Sequence, residues 1–146
     1  MKAAEFFTNE QKEQIIAAIQ AAELDTSGEV RVHIESSCKH DVLDCAAFTF
    51  KKLGMHKTEL RNGVLFYLAV NDRKFAILGD AGINAKVPEN FWDEIKNHML
   101  SHFKKEEFST GLAEGVRMAG IQLKKHFPYQ SGDVNELSDD ISFGNN

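Results

Sequence analysis

Residues 62–80, NGVLFYLAVNDRKFAILGD, constrain the fold of this chain more than any other stretch. Val64 to Val70 is an almost unbroken apolar run, a polar Asn71-Asp72-Arg73 follows, and Phe75 to Leu78 is apolar again. Two strands joined as a hairpin is the economical reading. A strand that is apolar on both faces has to be covered on both faces, so the first of the two belongs inside a sheet with helices on each side. Antiparallel pairing also brings together the polar residues at the two ends of the stretch, Asn62 before the first strand and Asp80 after the second.

Upstream of the hairpin, Thr8-Asn9-Glu10-Gln11 has the pattern of a capping box, with Phe7 placed as a staple. Ile15, Ile16, Ile19 and Ala22, extended to Leu24, then recur at helical spacing until Asp25-Thr26-Ser27-Gly28 breaks the pattern, which predicts a helix over about 9–24. Glu29 to Glu35 alternates strictly, with Val30, Val32 and Ile34 on one face and Glu29, Arg31, His33 and Glu35 on the other. This is a strand with one well-buried face. His33 reads as a solvated or helix-covered strand residue rather than a ligand, since no second His or Cys shares its face two residues away. Asp41 to Leu53 carries Val42, Cys45, Ala46, Phe48 or Thr49, and Leu53 at helical intervals before Gly54. Strand, helix, strand is a crossover, so the strands at 29–35 and 64–70 are expected to be parallel. With the antiparallel hairpin this gives an α/β fold, a three-layer α/β/α sandwich with a mixed central sheet.

Downstream, proline suits a first helical position, and a helix is expected from Pro88 to about Lys104, with Phe91, Trp92, Ile95, Met99 and Phe103 as its core stripe. His98 and His102 sit four apart on a neighbouring face and read as solvated histidines, because the pair lacks the intervening glutamate of a metalloprotease helix and shares its face with Asn97 and Ser101. Leu112, Val116, Ala119, Ile121, Leu123 and Phe127 predict a last helix ended by Pro128, with Gly111, Gly115 and Gly120 as places of close packing. The chain then divides into one α/β/α domain over 1–129 and an acidic tail over 130–146. In the tail, residues 133–139 only faintly match a calcium loop: Leu137, Ser138 and Gly144 stand where a polar ligand, a glycine and a glutamate belong. A tail docked through Leu137, Ile141 and Phe143 is the expectation.

A chain of 146 residues fits one domain and buries roughly two-thirds of its unfolded surface without needing a staple. Cys38 and Cys45 are too few for a disulfide framework and match no zinc spacing, so they read as reduced thiols. A net charge of −5 argues against nucleic acid and against anionic membrane surfaces. No apolar run approaches the roughly 20 residues of a membrane span, and the N-terminal MKAAEFFTNEQKEQ has no apolar core or cleavage site. The expected location is cytoplasmic.

Phosphate loops, nucleophile elbows and Cys or Ser paired with His are not recognisable in the sequence. Strand direction instead singles out one sheet edge. If the first strand is parallel to the second and the second antiparallel to the third, Glu29, Asn62 and Asp80 lie at the same edge. Two carboxylates and an amide oxygen there read either as a hard-cation site or as turn and cap residues.

The ordered set T-S-G-E-V-R-V, N-G-V-L-F-Y-L, N-D-R-K-F-A-I-L-G-D-A-G-I and F-S-T-G-L, followed by a glycine-containing helix, resembles the TPM domain over about residues 8–127. That family is named for a thylakoid lumen protein, a photosystem II repair protein and a nematode receptor modulator. The resemblance implies an α/β/α sandwich, divalent-cation binding (calcium first, magnesium second) and, in some members, a disputed acid-phosphatase activity. Residue by residue, it implies a metal set of Glu29, Asn62 and either Asp80 or Glu89. The loop choice stays open because the family's G-Y-G-L-E is here G-D-A-G-I-N. Many relatives have a signal peptide and a membrane anchor, and neither is expected here. The expected function is a non-catalytic cation-binding module acting through a protein partner, and the alternative is a metal-assisted acid phosphatase. Arg31 and Arg61 are the cationic groups expected near this edge.

Overall fold

The computed structural model describes residues 2–129 and 137–144. Helix α1 spans Asn9–Glu23, and its capping box forms as the sequence predicts: the Gln11 amide donates to Thr8 Oγ1 and the Thr8 amide to Gln11 Oε1. Strand β1 (Glu29–Glu35) leads through α2 (Val42–Lys52) to β2 (Gly63–Ala69), and a tight turn connects β2 to β3 (Lys74–Gly79). A short α3 (Ala81–Asn84), then α4 (Asp93–Phe103), α5 (Phe108–His126) and a two-residue β4 (Ser142–Phe143) complete the described chain.

The sheet order is β3-β2-β1-β4. β1 is parallel to β2 and to β4, and β2 is antiparallel to β3, so the sheet is mixed. Every residue of β2 is buried, as its unbroken apolar run requires. Val64, Phe66 and Leu68 join Val30, Val32, Ile34 and Ile77 in the core shared with α1, α4 and α5. Leu65, Tyr67 and Ala69 face the other way, against Ala46 and Phe50 of α2, Met55 and Leu137. Helices therefore cover both faces, giving the three-layer α/β/α sandwich.

Glycines in α5 set how closely the large helical layer packs. A Cβ at Gly120 would lie 2.5 Å from the Ala22 Cα of α1, so these two helices meet backbone to backbone. Thr26 fastens the following loop to the same place, donating from its hydroxyl to the Leu123 carbonyl at 3.1 Å and to the Phe127 carbonyl.

Several expectations are corrected. Helix α4 begins at Asp93 rather than Pro88, because residues 88–92 form turns that seat Trp92 in the core beside Gly79. The segment after Asp80 starts with the helical turn α3, capped by the Asp80 side chain. Leu24 and Ile121 are exposed; of the two alternatives on α2, Thr49 faces inward and Phe48 is exposed. Cys38 and Cys45 are not free thiols but a disulfide that closes the loop between β1 and α2, so the pair no longer speaks for a reducing compartment. The tail does more than dock: Leu137 and Ile141 are buried, and Ser142–Phe143 extends the sheet beside His33 and Ile34. Most of the faint calcium-loop match, including Asp133 and Asn135, lies outside the described residues.

Because β2 is covered on both faces, amide exchange is expected to be slowest from Leu65 to Ala69, where exposure needs global opening. Rapid exchange there would overturn its central position. Gly120→Ala should lower stability by about 1–3 kcal/mol in denaturant titration, since the added methyl meets main chain that cannot step aside.

Candidate functional site

The start of β1 is held by buried polar groups. The Glu29 amide donates to the Asn62 carbonyl at 3.2 Å, and Asn62 Nδ2 donates to the Ser27 carbonyl at 2.6 Å. The Asn62 amide in turn donates to Thr58 Oγ1 at 3.3 Å. Asn62 thus clamps the loop before β1 to the loop before β2. Its side-chain oxygen is the exception: Asn62 is only 2% exposed, and Oδ1 is buried with no hydrogen-bond partner among the described residues. A buried amide oxygen left without a donor costs about 1–3 kcal/mol, which marks it as a group suited to a ligand.

Glu29 is 3% exposed, and its Oε1 accepts from the Leu137 amide at 2.7 Å. The tail therefore closes over a buried carboxylate. Two more carboxylates join it, neither of which stood out in the sequence. Glu23, the last residue of α1, accepts from the Val30 amide at 2.9 Å, and its carboxyl also hydrogen-bonds Asp139 in the tail. Burial, followed by the hydrogen bond that the Glu23 carboxyl donates to Asp139 and the negative charges of Asp139 and Glu29, pushes Glu23 up to about 9, although the Val30 amide pulls the other way. A proton kept on Glu23 at neutral pH relieves the repulsion among these crowded carboxylates.

Asp80 lies next to this cluster in the sheet, its amide donating to the Gly63 carbonyl at 3.0 Å, but its carboxylate is already committed. Arg61 donates to it through Nε and Nη2, both at 2.8 Å, and the Ala81 amide caps onto Oδ1 at 2.7 Å. The bidentate pair raises the Arg61 guanidinium above its ordinary value. Behind it the Gly82 amide donates to the Arg61 carbonyl at 2.8 Å, so closely that a Cβ on Gly82 would sit 2.1 Å from the Leu60 carbonyl oxygen. Asp80 thus serves as cap and ion-pair partner, and recruiting it to a metal means releasing Arg61. Glu89 is exposed in the turn before α4, and no hydrogen bond or ion pair joins it to Glu29, Asn62 or Asp80 among the described residues.

Of the four residues picked out from sequence, Glu29 and Asn62 are brought together through their main chains, Asp80 is a sheet neighbour in a separate ion pair, and Glu89 stands apart. Glu23 and Asp139 were hidden because a helix-end glutamate and a tail aspartate are ordinary surface residues until the tail folds back. The donors at this end, carboxylates and an amide oxygen, match a hard cation. His33, on the same face of β1 as Glu29, lies under the tail: its ring contacts Ser142 Oγ at 2.7 Å and Glu35 Oε1 at 3.1 Å and stacks on Tyr67, and burial lowers its pKa.

Comparison with known proteins agrees with this architecture. No curated protein matches the chain significantly. Among solved structures, the chain is similar to the BA42 protein of the psychrophilic bacterium Bizionia argentinensis, with 45% identity, a TM-score of 0.91 and coverage of 98% of this chain and 99% of that one. The N-terminal domain of a P. gingivalis protein matches with 21% identity and a TM-score of 0.71, covering 87% of this chain and 84% of that one. The N-terminal domain of the cg2496 protein from Corynebacterium glutamicum matches with 15% identity and a TM-score of 0.66, covering 90% and 82%. These two share the fold. No helix among the described residues is long and apolar enough to cross a membrane. The TPM domain model matches residues 1–122, the stretch that carries the sandwich and all but the tail's share of the carboxylate cluster, and the chain belongs to the TPM domain family.

Proposed function

We propose that the protein is a divalent-cation binding domain, with calcium as the favoured ion and magnesium second, acting through a protein partner rather than by catalysis. The observation that carries this reading is the gathering of the buried Glu29 carboxylate with the half-buried Glu23 and Asp139 at the end of the sheet where Asn62 Oδ1 is buried with no partner among the described residues. An all-oxygen set assembled from a helix end, a strand start and a tail tolerates irregular geometry, which suits calcium's 6–8 ligands better than magnesium's strict octahedron. Water would complete the shell. Asp80 and Glu89 are reserve ligands, the first available on release of Arg61 and the second by movement of residues 85–92. A site with so few charges should bind in the range of about 10⁻⁴ to 10⁻³ M.

Acid-phosphatase activity is the second reading, and the matching family model is named for a phosphatase. Phosphoryl transfer requires positive groups free to meet the developing charge. Of the two cations expected at this end of the sheet, Arg61 is spoken for by Asp80, which leaves Arg31 as a single positive group. Hydrolysis of a generic phosphate ester, with or without calcium or magnesium, is therefore expected to be slow and to survive Cys38→Ser and His98→Ala unchanged. Robust turnover abolished by a Glu29→Ala, Asp80→Ala double substitution would reverse the order of the two readings.

The test of the cation site is a calcium titration followed by backbone amide shifts. The largest changes are expected at Glu23, Gly28 to Val30, Arg61 to Gly63 and Leu137 to Asp139, and both Glu29→Gln and Glu23→Gln should weaken binding. Shifts confined to Gly79 to Ile83, removed by Asp80→Ala but not by Glu23→Gln, would place the ion at the Asp80 end instead. The pH dependence has a definite sign. A carboxyl raised to about 9 when folded, against 4.5 unfolded, contributes its full stability below 4.5 and loses it as pH rises toward 9. Calcium competes with that proton, so calcium affinity should rise with pH over the same interval, and calorimetric heats at neutral pH should vary with the buffer's ionisation enthalpy.

A further inference from the structure

A second constellation lies between α4 and α5, built from the histidine pair that the sequence reads as solvated. The two helices pack closely because α5 carries glycine where α4 presents bulk: a Cβ at Gly115 would fall 2.5 Å from Met99 Sδ, and one at Gly111 would fall 2.6 Å from the Phe103 ring. That approach sets Glu114 of α5 against both histidines of α4. Glu114 Oε1 lies 2.6 Å from His98 Nε2 and 3.3 Å from His102 Nε2, and one ligand atom from each of the three residues lies within 4.8 Å of the others. The other nitrogen of His102, Nδ1, is 2.8 Å from Glu107 Oε1.

We propose that His98, His102 and Glu114 form a binding site for a divalent transition metal of the zinc class, with His98 Nε2, His102 Nε2 and a Glu114 oxygen as ligands and water in the remaining position. Histidines four apart on a helix present both rings to one side, and two imidazoles with one carboxylate favour zinc, nickel or copper over calcium or magnesium. Glu107 supplies what a bare surface pair lacks. By accepting from Nδ1–H it fixes the His102 tautomer that leaves the Nε2 lone pair facing Glu114, the carboxylate–histidine arrangement found behind metal-bound imidazoles. Both His102 nitrogens face carboxylates, and a zinc ion at Nε2 would leave the Glu107 contact at Nδ1 in place. The side chains remain partly open to solvent, 20% for His102 and 44% for Glu114, which leaves an entry path and room for water. Bound metal would add a further tie between α4 and α5, which already meet through Met99, Phe103 and the His98–Glu114 contact.

The experiment titrates chelator-treated full-length protein with zinc chloride alone, using calorimetry together with nitrogen shifts of the histidine rings. Saturable binding of one equivalent is expected, with the largest ring shifts at His98 and His102. His102→Ala should weaken affinity about 100-fold or more, and Glu107→Gln about 10-fold, at the lower end of what removal of a supporting carboxylate costs. His40→Ala and Glu29→Gln should leave zinc binding unchanged, and His102→Ala should leave the calcium titration unchanged, so the two sites succeed or fail independently. The His98, His102, Glu107 and Glu114 side chains are all partly exposed, and retained amide spectra will show that the fold is intact; should His98→Ala, His102→Ala together disturb it, Glu114→Gln alone carries the test. Zinc binding that survives these substitutions, or no saturable zinc binding at all, overturns the proposal.

Discussion

Burial of β2 on both faces is the constraint on which everything else depends. A seven-residue strand from Gly63 to Ala69 with no exposed position cannot form an edge or an open face. It needs hydrogen-bonding partners on both sides and apolar layers above and below. β1 and β3 supply the partners; α1, α4 and α5 supply one layer, and α2 with Met55 and Leu137 the other. At roughly 1.5–3 kcal/mol for each large side chain withdrawn from water, the strand's Leu, Phe, Val and Tyr residues outweigh any single surface interaction in the molecule. Polar features are tolerated only where they do not interrupt it.

Those polar features collect at the ends of the strands. At the start of β1, Thr26, Asn62 and Glu29 bridge three loops and the tail, and the hydrogen bonds they make replace the water that burial removes. Two groups are left in tension there: a glutamic acid that keeps its proton near neutral pH, and an amide oxygen with no donor among the described residues. Next door, Asp80 and Arg61 show the opposite outcome, a carboxylate whose hydrogen bonds are filled by a bidentate guanidinium and a helix cap. Within the same sheet end, one carboxylate is thus neutralised by a guanidinium and another by a proton.

The glycines of α5 play a parallel part in the helical layer. Gly120 admits the backbone of α1, and Gly111 and Gly115 admit Phe103 and Met99 of α4. Close approach buries area, and it also brings Glu114 within reach of His98 and His102. A packing device thus has a chemical by-product on the adjoining surface.

Periodicity in the sequence by itself determined the sheet and its cover. The double-faced run at 64–70, the alternation at 29–35 and the capping box at Thr8 each reflect a local rule, so β1, β2, β3, α1, α2 and α5 lie within a residue or two of where the pattern puts them. Glu29 and Asn62 were legible for the same reason, since strand direction alone places them at one edge. Tertiary structure decided what pattern does not encode. Whether Asp80 faces an ion or Arg61 depends on the left-handed turn at Arg61 and the gap at Gly82. The pairing of Cys38 with Cys45 depends on the path of the loop between β1 and α2. Glu23 meets Asp139, and His98 meets Glu114, across separations of 116 and 16 residues. Such meetings follow from how whole elements dock, because a side chain's local sequence sets its face of a helix or strand but not what the rest of the chain brings against that face.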